Sequence, residues 1–159
     1  MARKIFLLML VYLLVGCSEN NDVKKGAELF SIIASDCKNK EGSEKAGNVE
    51  RLVVQSTGDG IYKVTHQNVL FNCCLPVGLI VEMEVRNDTI FYTEREKEAG
   101  NCRCICPYDL SAEIGNLDDG EYVLCLIKAT NQLGIIKLNF KNGMYEEIPV
   151  SELKDYPYL

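Results

Sequence analysis

The sequence predicts an all-β fold, an antiparallel β-sandwich with one short helix near its N-terminal side. Three observations carry this. From Asn48 onward, about eight short runs of strand-type residues recur at regular spacing, separated by turn signals. One run, Val81-Glu82-Met83-Glu84-Val85-Arg86, alternates apolar and charged residues, the period of a strand with one face in the core and one in water. It is followed by Asn87-Asp88 and a second strand-type run, Thr89 to Thr93, which together read as a hairpin.

The elements follow in order. Val23 to Asp36 reads as the helix, because Leu29, Ile32 and Ile33 fall at i, i+3 and i+4. Lys38 to Gly47 is charged and contains glycine, so it reads as a loop. Arg51 to Gln55 and Ile61 to Thr65 are strands around the turn signal Gly58-Asp59-Gly60. Val69 to Cys74 is a third apolar run, stopped by Pro76. After the hairpin, Glu94 to Gly100 (EREKEAG) reads as a solvated loop. Leu110 to Ile114 alternates again, Asn116 to Gly120 turns the chain, and Tyr122 to Lys128 and Ile135 to Phe140 complete the set. The tail from Glu152 to Leu159, including Tyr156-Pro157-Tyr158, carries no pattern.

The first residues have a different purpose. Arg3 and Lys4 precede an unbroken apolar run from Ile5 to Val15, the length of a signal-peptide core and too short for a permanent membrane span. The run ends in Leu14-Val15-Gly16-Cys17, which resembles a bacterial lipobox. That resemblance implies cleavage before Cys17, lipidation of Cys17, and a partner in the membrane. Ser18-Glu19-Asn20-Asn21-Asp22 then suits a short acidic tether, and it also resembles the surface-export tag of Bacteroidetes lipoproteins. The expected organisation is a signal peptide over 1–16, the lipidated cysteine and tether over 17–25, and one β-sandwich domain over 26–159. The expected address is the outer membrane, on its periplasmic or surface face.

Charge narrows the partners. The chain carries a formal charge of −6, and loss of Arg3 and Lys4 makes it more acidic still. An acidic domain repels phosphate backbones, so no nucleic-acid partner is expected. A protein, peptide or glycan ligand fits the composition better.

Beyond Cys17, seven cysteines remain, an odd number. Cys102, Cys104 and Cys106 alternate just ahead of Pro107. In an extended strand, residues i and i+2 are about 7 Å apart, at the outer limit for a disulfide. The triplet is therefore expected to bond something opposite, and Cys73 and Cys74 are the natural candidates. Adjacent residues of a strand point to opposite faces, so one or two such bonds are expected, with a bend at Pro76 or Pro107 relieving the geometry. Cys37 and Cys125 are left as free or unassigned thiols, Cys125 as a buried one. The alternative is a thiol cluster of Cys73, Cys74, Cys102, Cys104 and Cys106 that binds a soft metal or works in redox chemistry. Cys-x-Cys is tighter than the usual zinc spacing, and no Cys-x-x-Cys is present. Disulfides are expected, and no metal.

Other chemistry-bearing residues have plainer explanations. Glu82 and Glu84 share the solvated face of an alternating strand. Asp118-Asp119-Gly120 is a turn. His66 stands alone, with no nucleophile beside it, and reads as a surface or strand histidine.

Leu117-Asp118-Asp119-Gly120-Glu121-Tyr122-Val123 resembles the L-x-x-G-x-Y segment of immunoglobulin-like and fibronectin type III-like domains. The resemblance implies that Tyr122 is structural, closing a tyrosine corner. The whole chain is similar to small envelope lipoproteins of gut Bacteroidetes, which implies a fold and an address but no activity. With no catalytic residues or cofactor expected, the sequence points to a non-enzymatic binding or structural module held by cysteine staples.

Overall fold

The computed structural model describes residues 26–38 and 49–153. The expected signal peptide, the lipidation site Cys17, most of the 38–47 loop and the end of the tail lie outside the described residues. Nine strands are present among the described residues: β1 (Glu28–Ala34), β2 (Arg51–Gly58), β3 (Ile61–Asn72), β4 (Leu79–Arg86), β5 (Thr89–Glu96), β6 (Ile105–Gly115), β7 (Gly120–Lys128), β8 (Asn131–Phe140) and β9 (Tyr145–Pro149). They form two sheets of a sandwich, one in the order β1-β6-β3-β2-β9 and the other β4-β5-β7-β8. All pairs are antiparallel except β5–β7. The chain leaves β5, builds β6 in the opposite sheet, and returns as β7, and such a crossover is what brings two parallel neighbours together.

The expected helix over 23–36 is not formed. Glu28–Ala34 is instead the edge strand β1, paired with β6 from Glu28↔Gly115 to Ala34↔Leu110. The pairing shifts register between Leu29 and Ser31, and the helix-like spacing arises because Ile32 and Ile33 are apolar residues on outward strand positions. Ile32 and Ile33 are exposed rather than gathered in a buried stripe. Their β-branched side chains suit a strand, and the ladder to β6 prevails over a three-residue apolar pattern.

Turn chemistry is where sequence and structure agree most closely. Asp59 and Gly60 both have positive φ (51° and 70°) between β2 and β3, as a tight hairpin turn demands. Asn87 has φ 55° between β4 and β5, whose last and first residues, Arg86 and Thr89, pair directly. The runs 61–65 and 69–74 are not two strands. Residues 61–65 and 69–72 belong to one strand, β3, interrupted by a register shift between His66 and Val69, and Cys73 and Cys74 lie beyond its end. Asn68 sits in that bulge at φ 60°, and its N–H donates to Asp109 Oδ1 at 3.0 Å. The extra residue resets the phase, so Tyr62, Val64, His66, Val69 and Phe71 are all buried.

The core fills the space between the sheets. At one end of the sandwich, Tyr62 and Tyr122 meet Phe140 edge to face, at centroid distances of 4.8 and 5.4 Å. The Tyr62 hydroxyl donates to Asp119 Oδ1 at 3.3 Å, so the turn at 118–120 helps close this end. At the opposite end, where β3 finishes and β6 begins, the cysteines gather.

Candidate functional site at the stapled end

Three disulfides join Cys37 to Cys106, Cys73 to Cys104 and Cys74 to Cys102, with Cα separations of 5.6, 5.6 and 5.7 Å. Cys73 and Cys74 both reach the triplet because neither lies in a strand. β3 ends at Asn72 and β6 begins at Ile105, so residues 73–74 and 102–104 face each other as irregular chain. The alternation that would send neighbouring side chains to opposite faces does not apply there. A backbone bond from Cys73 N–H to Cys104 O (3.2 Å) keeps the two segments together.

Cys37, expected to be free or unassigned, is instead bonded to Cys106. The reason is β1. Beyond it the chain still follows β6, with Ser35 N–H donating to Asp109 O and Lys38 N–H to Pro107 O, which sets Cys37 opposite Cys106. A helix over 23–36 hides this pairing; a strand makes it inevitable. Cys125 is the free thiol among the described residues, buried in β7, and burial pushes its pKa up.

Around the staples, polar groups are tied inward. Asn72 donates through Nδ2 to Cys102 O (2.8 Å) and accepts at Oδ1 from Cys74 N–H (2.9 Å). Glu96 accepts from Asn72 N–H at 2.9 Å and from Gly100 N–H at 2.7 Å, one on each carboxylate oxygen. Tyr108 donates to Asn72 O at 3.1 Å. Gly100 lies so close to Asn72 and Cys74 that a Cβ there would clash with both.

Behind this end lies a buried charge cluster that spans the two sheets. His66 on β3 and Glu94 on β5 are both fully buried. The Nδ1 of His66 is 2.6 Å from Glu94 Oε2, and its Nε2 is 2.9 Å from Glu50 Oε1. Burial alone would lower the His66 pKa, but the contacts with Glu50 and Glu94 prevail and push it up to about 9. The imidazole is therefore a cation at neutral pH. Burial raises Glu94, with His66 opposing the shift. Glu50 is also raised by burial, yet its contact with His66 wins and its pKa falls. Lys128 adds a second positive charge acting on both carboxylates. Both ring nitrogens of His66 face carboxylates and no part of the ring meets solvent. This is an internal ion cluster rather than a base aimed at a substrate.

Next to the staples is an open cleft of about 730 Å³. Its walls are the end of β3 (Leu70, Phe71, Asn72), the end of β5 with its following loop (Arg95, Glu96, Ala99), Ile105, and the β7–β8 turn (Lys128, Ala129, Thr130). Lys128 Nζ stands 5.6 Å over the Phe71 ring. Ala129 has φ 55°, a left-handed conformation that disfavours any residue but glycine, and its N–H donates to Glu94 O at 2.6 Å. Backbone held in such a state by its surroundings is common where a site is built.

The sequence-level candidates thus divide. Cys73, Cys74, Cys102 and Cys104 come together, Cys106 joins Cys37, and Cys125 stays apart. Tyr122 is buried against Phe140 at the far end. Glu82 and Glu84 are exposed and pair with Arg95 and Arg86. Glu94 was hidden in what reads as a solvated loop: β5 runs on to Glu96, and the inward phase set by Ile90 and Tyr92 carries Glu94 into the core. Counting that alternation one step further was the available signal.

Fold and site together define a disulfide-stapled all-β sandwich. No family model matches the chain, and neither a curated protein nor a solved structure matches it significantly.

Proposed function

We propose that this protein is a lipid-anchored, non-enzymatic binding module of the cell envelope, with its ligand site in the cleft at the stapled end. The observation that carries the reading is that cleft. Apolar walls from four separate chain segments are held around it by two disulfides and the Asn72–Glu96–Gly100 hydrogen bonds. The anchor follows from the lipobox-like Leu14-Val15-Gly16-Cys17, and an exported address suits disulfides. The strand β1 supplies an orientation. Its first residue, Glu28, pairs with Gly115 at the aromatic end, opposite the cleft. A tether ending there presents the cleft away from the membrane.

The test has two parts on one preparation. Labelled palmitate should enter the full-length protein in a Gram-negative host and fail to enter Cys17→Ala. A panel of soluble peptides, glycans and amphiphiles should then yield a binder that protects residues 70–72 and 105 from hydrogen exchange. Turnover of a panel member, or a panel that protects none of these residues, would count against the reading.

A second reading rests on the four sulfurs of Cys73, Cys74, Cys102 and Cys104, all within 4.8 Å of one another. In the reduced state they would offer four thiolates, and a tetrahedral zinc site needs sulfurs about 3.8 Å apart. Two adjacent disulfides bring four sulfurs equally close without a metal, so the first reading accounts for the same geometry. Metal content after anaerobic purification separates them: a stoichiometry near zero removes the metal.

A further inference from the structure

We infer that the cleft at the stapled end selects an amphipathic carboxylate, a single anionic head on an aliphatic body, taken from solution. The inference rests on the binding-module reading above and names its ligand class.

The apolar part of the ligand is indicated by what the cleft leaves uncovered. Leu70 is 46% exposed and Ile105 67% exposed, and the other apolar residues of the wall are Phe71, Ala99 and Ala129. Leaving two large aliphatic side chains in water at one concave place is unfavourable unless something covers them. The cleft volume is that of a small-molecule site.

The sign of the head group follows from the charges. Three charged residues line the cleft: Arg95, Glu96 and Lys128. Glu96 has both oxygens engaged by the backbone N–H groups of Asn72 and Gly100. Those two bonds fix the carboxylate in the wall, where it keeps its negative charge. Arg95 reaches Glu82, but that pair is open to water, so its charge is shared with solvent. Lys128 stands over the Phe71 ring at the cleft floor. The carboxylates behind it, Glu50 and Glu94, face His66, and the Lys128 charge also acts on both. Two cations thus line the cleft against one carboxylate, a balance that favours an anionic head over a cationic one. A quaternary ammonium head would meet the two positive charges instead.

The source is solution rather than the protein's own membrane, because β1 begins at the opposite end of the sandwich. The ends of a nine-residue tether, over 17–25, are at most about 30 Å apart.

Photolabelling tests this on the full-length protein held in nanodiscs. Three probes share one ten-carbon diazirine chain and differ in the head: carboxylate, alcohol or trimethylammonium. Labelled residues are mapped by peptide mass spectrometry. The carboxylate should label peptides spanning 70–72 and 105 at least fivefold more than the ammonium probe. Ile105→Glu should cut that yield about tenfold, and Leu70→Glu should do the same. Both side chains are exposed, so both variants should fold, with all three disulfides verified by mass. Equal labelling of the cleft by all three heads would overturn the anion selectivity while leaving a binding module. No labelling of the cleft by any probe would overturn both. Concentration-dependent self-protection of the cleft peptides would mean that a second copy of the chain occupies it, and would also overturn the inference.

Discussion

The two ends of this sandwich solve the same problem differently. At the end that holds Tyr62, Tyr122 and Phe140, interlocking aromatic rings fill the space between the sheets, and no cysteine is needed. At the other end the sheets part around a cleft, aliphatic side chains stay in water, and three disulfides hold the chain segments that packing does not. Packing gives stability through contact, while a disulfide gives it mainly by restricting the unfolded chain. A cross-link can therefore keep an end firm and still leave it open. A binding site can form only where the interior is not already full.

The largest effects should come from breaking what lies between the ends. His66→Ala leaves Glu50 and Glu94 facing each other without the imidazolium between them. The expected loss is about 3–5 kcal/mol, read as a shift in denaturant midpoint. Replacing His66 and Glu94 together by apolar residues should cost much less than His66→Ala alone. At the aromatic end, Phe140→Ala removes the ring that both tyrosines touch and should cost about 3–4 kcal/mol, with the three disulfides still formed. Cys73→Ser with Cys104→Ser opens a link across 31 residues and should cost about 2–4 kcal/mol. Its hydrogen-exchange signature should stay at residues 69–74 and 102–108. If instead it loosens β8, the two ends are not independent.

A smaller effect should appear with pH. His66 is raised from 6.5 to about 9 in the folded state. Its contribution is complete below pH 6.5 and is lost as pH rises toward 9. Glu94 is raised as well, a shift that also loses stability as pH rises, so it does not offset the loss, and the His66 shift alone corresponds to about 3 kcal/mol between pH 6.5 and 9. His66→Ala should flatten that window in a pH series of unfolding midpoints. The smallest change should be favourable: Ala129→Gly relieves a left-handed residue in the cleft wall and should add roughly 0.5–1 kcal/mol to stability. A destabilised Ala129→Gly would mean that the methyl group packs in the wall.

Much of the fold was legible because turns and alternation are local signals. Gly58-Asp59-Gly60 and Asn87-Asp88 fix two hairpins, and Val81 to Arg86 fixes which face is buried. The helix over 23–36 was misread because Ile32 and Ile33, apolar but exposed on the edge strand, stand at helical spacing from Leu29. That one error hid the Cys37–Cys106 bond, since the bond depends on β1 lying along β6. The pairing of Cys73 and Cys74 with Cys104 and Cys102 depends on both segments leaving their strands, which only the bulged course of β3 determines. The charge cluster was illegible for a further reason. Glu50, His66 and Glu94 are far apart in sequence, and two of them look like surface residues until the sheets close over them. The cleft, assembled from the ends of β3, β5 and β7, has no sequence signature at all.

Hydrogen exchange of the oxidised protein, compared with the same protein in a dithiol reductant, tests the division between the two ends most directly. Faster exchange is expected at residues 69–74 and 102–108 on reduction, with 122–126 and 136–140 unchanged. Loss of protection spread evenly over both ends, or none anywhere, would contradict it.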